Sequence, residues 1–115
     1  MKERRVQQRL PIEKQCSATI RQSDGTLAPA RLRELSAGGI ALTSHYTCQI
    51  GREFDVYFRL PLQGLSPRIG AHCRVTCTTY LPREEAFRIG MKFLRIHGHE
   101  EEALRHFVRA SLACG

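Results

Sequence analysis

Two short clusters hold the residue types that can do chemistry in this chain. Arg4-Arg5-Val6-Gln7-Gln8-Arg9 places three guanidinium groups within six residues, and Glu34-Leu35-Ser36-Ala37-Gly38-Gly39 sets a carboxylate and a hydroxyl beside two adjacent glycines. A guanidinium presents a planar fork of donors that matches phosphate and the O6/N7 edge of guanine, and it stacks on bases as well. The two glycines allow positive φ and carry no side chain, so the backbone there can turn sharply or approach a ligand closely. Taken singly, each cluster reads as something ordinary: a solvated basic tail and a Gly-Gly turn.

The composition points to the same class of partner. Of 18 basic residues 15 are arginines, the formal charge is +7 and the isoelectric point is near 9.6. That balance favours nucleic acid, nucleotides or an acidic membrane surface. A length of 115 residues suits one domain, and 42% hydrophobic with 25% charged residues is a globular composition. No run approaches the roughly 20 apolar residues of a membrane span, and the N-terminus lacks a signal-peptide apolar region, so a cytoplasmic location is expected. The five cysteines are odd in number and form no Cys-x-x-Cys pair. Reduced structural thiols are therefore expected, with neither a disulfide framework nor a zinc site.

Catalysis is not expected. Cys73 and Cys77 share one face of a strand pattern, His72 should point away from Cys73, and no acidic residue is evident to orient His72 or His45. His97, His99 and His106 surround the start and face of the final segment, where capping and solvent exposure account for them.

The elements that must position these clusters follow from periodicity. Residues 1–11 form a basic arm with Val6 and Leu10 as its apolar anchors, and residues 12–115 form the single domain. Alternation from Cys16 through Ala18 and Ile20 gives a first strand, ended by Ser23-Asp24-Gly25. Ala30 and Leu32 face inward on a second, which stops at the 36–39 turn. A third covers Ile40 to His45 and a fourth Glu53 to Leu60. The fifth, from about 69 to 79, sets Ile69, Ala71, Cys73, Val75 and Cys77 on one face, and the sixth sets Phe87, Ile89, Met91 and Phe93 on one face. Six short strands imply a closed antiparallel barrel, since closure removes unpaired edges. Ala103, Leu104, Phe107, Val108 and Leu112 then recur at helical spacing, predicting an amphipathic helix over about 99–112. Its acids stand at the start, and Arg105 and Arg109 stand near the end to complement the helix dipole.

Arg5-Val6-Gln7-Gln8-Arg9, followed by Glu34, Ser36 and Gly39, resembles the two-part motif of the PilZ domain, a family of bacterial receptors for cyclic di-GMP: R-x-x-x-R, then [D/N]-x-S-x-x-G in a strand-to-strand turn. Arg88-Ile89-Gly90-Met91-Lys92-Phe93 looks like the family's closing G-x-x-F strand, and the resemblance covers about the whole chain. It implies a mainly β fold, a six-stranded antiparallel barrel with a C-terminal helix. It also implies cyclic di-GMP as ligand, no cofactor or metal, and a site made of Arg4, Arg5, Arg9, Glu34, Ser36, Gly38 and Gly39. Glu34 departs from the family pattern by one methylene. Arg4, just before the motif, has two readings of equal weight: an extra contact to an intercalated dimer of cyclic di-GMP, or an unpaired surface arginine.

The resulting expectation is a receptor whose arginine arm closes over a ligand on the barrel and so presents a new surface to a protein partner. One alternative is a ligand-independent adaptor of the same fold. The other is a small basic barrel for single-stranded nucleic acid. That last class stacks bases on exposed aromatics, whereas Phe54, Phe58, Phe87 and Phe93 fall on core faces here and leave Tyr46, Tyr57 and Tyr80. Nucleic acid is the weaker fit.

Overall fold

The computed structural model describes residues 10–60, 68–98 and 100–114, and their side chains except at 10, 13–15, 100 and 111–114. Arg4, Arg5 and Arg9, with the rest of residues 1–9, lie outside the described residues, as does the Leu112 side chain.

Six strands, β1 (Leu10–Arg21), β2 (Leu27–Leu35), β3 (Gly39–Ser44), β4 (Glu53–Arg59), β5 (Arg68–Leu81) and β6 (Ala86–Ile96), precede one helix, α1 (Glu100–Cys114). They close into an antiparallel barrel in the order β1-β2-β3-β6-β5-β4. Period-2 alternation builds it: Phe54, Val56 and Phe58 of β4 are buried, and Glu53, Asp55 and Tyr57 face out. Ile20, Leu32, Leu35, Leu42, Val56, Ile69, Val75 and Ile89 fill the interior. Closure gives every strand a partner on both sides, which leaves no strand with a fully open edge.

The β1–β2 hairpin turns where expected. Gly25 has φ +91°, a conformation that disfavours any side chain. The Asp24 carboxylate accepts bonds from the Thr26 amide at 3.0 Å and its hydroxyl at 2.7 Å, which holds the Asp24 carboxyl below its usual range.

Four register shifts depart from simple alternation, one of them between His72 and Cys73 of β5, where Leu94 of β6 is the extra residue. In β1 the register shifts between Pro11 and Cys16, which hides the strand's first six residues from a periodicity reading. The strand therefore begins at Leu10, where the sequence suggests the tail of the arm. In β2 the shift lies between Leu32 and Glu34. Strict alternation from Leu32 would send Leu35 out, yet Leu35 is 1% exposed and Glu34 is the residue left on the outer surface. In β5 the shift between Val75 and Cys77 leaves Cys77 exposed, against its expected place on the inward face with Cys73.

Helix α1 packs on β5 and β1 and adds Leu104, Phe107 and Val108 to the core. It runs to Cys114, so Arg105 and Arg109 sit in its middle and its last turn holds no base. Arg105 instead pairs with Glu101 one turn earlier at 2.7 Å. The dipole complement expected at the C-terminal end is absent from this helix. No helix among the described residues is long and apolar enough to cross a membrane.

Candidate ligand-binding site

The 36–39 turn is a self-bonded unit. The Ser36 amide donates to the Gly39 carbonyl at 3.0 Å, and the Ser36 hydroxyl accepts from the Gly38 and Gly39 amides at 3.2 and 3.0 Å while donating to the Gly39 carbonyl at 3.3 Å. This is serine's local competition with the backbone put to structural use, since a side-chain oxygen satisfies two amides that the ladder cannot reach. Ser36 is only 8% exposed. Its hydroxyl, one of the groups the resemblance implies for the ligand site, is thus engaged in holding the turn.

Neither glycine of the turn has positive φ; among the described glycines Gly25, Gly51 and Gly98 do. Gly39 is required for a different reason. A Cβ there would stand 2.5 Å from the Met91 carbonyl oxygen, because the chain passes directly against β6. The Phe93 amide donates to the Gly38 carbonyl at 2.9 Å, and Gly39 pairs with Lys92. The turn is therefore fastened to β6, with the exposed Lys92 beside it.

Glu34 and Arg88 meet on the outer surface. The β2 bulge turns Glu34 out, and its Oε2 lies 3.4 Å from an Arg88 guanidinium nitrogen on β6, with 22% and 35% of the two side chains exposed. Arg33, the extra residue of the bulge, reaches Glu84 at 3.6 Å. The β3–β6 pairing brings Arg88 and Lys92 to this face. No local pattern in the sequence announces either as a site residue, since that pairing joins positions some 50 apart in the chain.

The first described residues reach the same place. Leu10 pairs with Leu35 and Pro11 with Glu34. Arg9 is covalently next to Leu10, and an extended chain spans at most about 3.5 Å per residue, so Arg5 is tethered within roughly 18 Å of Leu10.

A second polar cluster covers β4 and β5 on another part of the barrel. His72 Nδ1 is 2.9 Å from Asp55 and Nε2 is 2.8 Å from Glu53, which also pairs with Arg74 at 3.2 Å. His97 lies 3.5 Å from Asp55 and stacks on Tyr57, whose ring carries the Arg68 guanidinium 4.8 Å from its centre. The bonds to Asp55 and Glu53 raise the His72 pKa, and the bonds from His72 lower those of both carboxyls. Acidic partners for His72 thus exist, where the sequence offered none; they come from the neighbouring strand through the β4–β5 register. His72 does point away from Cys73, which is fully buried with its thiol pushed up to about 12 by burial. The cluster joins no nucleophile, and its groups neutralise one another.

The aromatic rings are placed as the core faces imply. Phe54 and Phe58 are buried, Phe87 and Phe93 are packed against the core, Tyr57 is occupied by Arg68 and His97, and Tyr46 and Tyr80 are exposed.

Comparison with known proteins places this architecture. The PilZ domain family model matches residues 3–110. No curated protein sequence matches the chain. Among solved structures, the Bacillus subtilis inhibitor of motility MotI/DgrA superposes with TM-score 0.76 at 21% identity, covering 96% of this chain and 53% of its own. The PilZ domain of Escherichia coli YcgR with c-di-GMP gives 0.68 at 17%, covering 94% and 91%. The K. pneumonia MrkH–c-di-GMP complex gives 0.74 at 15%, covering 97% and 52%. The chain spans about half the length of MotI/DgrA and MrkH and nearly all of the isolated YcgR domain. At these identities the likeness shows a shared barrel, and the match of the family model over almost the whole sequence makes the chain a member of the PilZ domain family.

Proposed function

We propose that this chain is a non-enzymatic receptor for cyclic di-GMP, which binds on the outer face between the arginine cluster of residues 4–9 and the 34–39 turn. The observation that carries the reading is the pairing of Leu10 with Leu35 and of Pro11 with Glu34, which anchors the arm's root directly against the turn. A cyclic dinucleotide offers two phosphates and two guanine edges, the groups that the arginine fork matches. Structures of YcgR and MrkH hold c-di-GMP on the same fold. Arg5 and Arg9 take phosphate and the O6/N7 edge, Glu34 accepts from guanine N1–H and N2–H, and Gly38 and Gly39 keep side chains out of the ligand's way. Ser36 contributes by setting the shape of the turn. Closing of the arm then exposes a new surface to a protein partner.

Calorimetric titration with cyclic di-GMP, using cyclic di-AMP and GTP as controls, tests the reading. Saturable binding of the guanine dinucleotide alone is expected. If Arg4 grips a second ligand molecule, the stoichiometry approaches two per chain and falls to one in Arg4→Leu. Equal binding of all three nucleotides, or of none, would overturn the assignment.

A further inference from the structure

Glu34 stands where the family motif has Asp or Asn, and its surroundings show what the extra methylene accomplishes. Glu34 pairs with Ala41 of β3, while Arg88 pairs with Thr43, two residues further along the same strand. The two side chains therefore come from opposite sides of β3 and meet across it. Ala41 and Thr43 alternate with the core residues Ile40 and Leu42, so they face the same outer side, and they are small. Both are buried, at 5% and 6% exposure, beneath the surface on which the pair forms. Gly90, the next outward position in the Glu34–Ala41 row, adds no side chain to the floor.

The contact of 3.4 Å is made at the end of the glutamate side chain. Removing one methylene withdraws the carboxylate by up to about 1.5 Å. That opens the gap to as much as roughly 5 Å, beyond an ion pair. Arg88 is thus better matched to a glutamate at this position than to an aspartate.

We propose that Arg88 is a positioning residue for Glu34, holding the longer carboxylate across β3 at the rim of the 36–39 turn so that it meets a guanine edge. This rests on the cyclic di-GMP reading above. Arg88 and Glu34 work as a pair: the arginine restricts the rotamers of the flexible glutamate before the ligand arrives, which spares the cost of ordering it on binding. An aspartate, held close to the turn by its shorter stem, needs no such partner.

A double-mutant cycle by titration calorimetry tests this, with cyclic di-GMP as the probe. Arg88→Gln in the otherwise unmodified chain should weaken binding about tenfold, the scale of one charged hydrogen bond. Arg88→Lys, which keeps the charge without the fork, should recover part of that loss. Glu34→Asp serves as the second background of the cycle, and adding Arg88→Gln to it should change its own affinity less than about twofold. Thermal unfolding of each variant separates loss of fold from loss of binding. An equal loss from Arg88→Gln in both backgrounds would make Arg88 a direct cation for the ligand, and no loss in either would make it a bystander; both results overturn the proposal. Failure of the unmodified chain to bind cyclic di-GMP would instead overturn the receptor reading itself.

Discussion

At the scale of single residues the site divides into groups that hold the turn and groups that face outward. Arg5 and Arg9 are assigned outward contacts, and replacing either by alanine should weaken cyclic di-GMP binding by at least about 2 kcal/mol, because each removes charge-assisted bonds. The barrel's melting temperature should stay unchanged, and a double variant with undiminished affinity would remove the arm from the site. Gly39 belongs to the other group. Gly39→Ala places a methyl against the Met91 carbonyl at 2.5 Å, so the β3–β6 ladder must shift. A cost of about 1–3 kcal/mol is expected, read as a drop in thermal stability without ligand. An unchanged melting temperature would mean that the turn yields freely. Had positive φ been the requirement, as the Gly-Gly pair suggests in the sequence, the penalty would arise from backbone strain instead; the observed dihedrals exclude that cause.

At the scale of elements the arm, the 34–39 turn and the helix should respond unequally to ligand. Residues 2–9 hold Val6 as their one apolar side chain, and in the proposed receptor their arginines are fixed by a dianionic ligand. Amide exchange should therefore slow over residues 2–9 on adding cyclic di-GMP, change less at 34–39, where the turn is already bonded to itself and to β6, and hardly change around Leu104 and Phe107. Identical exchange in the arm with and without ligand would contradict a closing arm even if binding were confirmed. The helix serves as the internal reference because Leu104, Phe107 and Val108 are part of the barrel core.

At the scale of the whole molecule the His72 cluster should leave a mark on stability against pH. His72 has its pKa raised above the ordinary 6.5, so its contribution is complete below pH 6.5 and fades as the pH rises through the raised value. Glu53 and Asp55 have pKa values lowered from 4.5 and 3.8, so theirs is complete above those values and fades as the pH falls through the lowered ones. The cluster stabilises most between about pH 4.5 and 6.5. His72→Gln should flatten the alkaline side of that profile, as measured by thermal unfolding from pH 4 to 9; an alkaline limb of unchanged slope would show that the cluster is not its source. The groups are partly exposed, so added salt should shrink the effect.

The succession of six strands along the chain, the core faces of β4 and of the barrel-facing part of β6, the 22–26 turn and the order of the two motif clusters are legible in the sequence, because they depend on local alternation and on turn chemistry. Periodicity lost track wherever the register shifted. Leu10 and Pro11 read as arm and Ile12 to Gln15 as no strand, Cys77 read as core, and the outward turn of Glu34 went unseen, since an odd number of inserted residues exchanges inside for outside from that point onward. Helix α1 continues to Cys114, which places Arg105 and Arg109 in its middle rather than in its last turn. Pairings between distant strands could not be read either: Arg88 against Glu34, Gly39 against Met91, and Glu53 and Asp55 around His72. The sequence by itself determined which residue types are available and in what order. Barrel closure decided which of them meet, because a contact between residues tens of positions apart depends on strand register, and register is fixed only when every strand has found both of its neighbours.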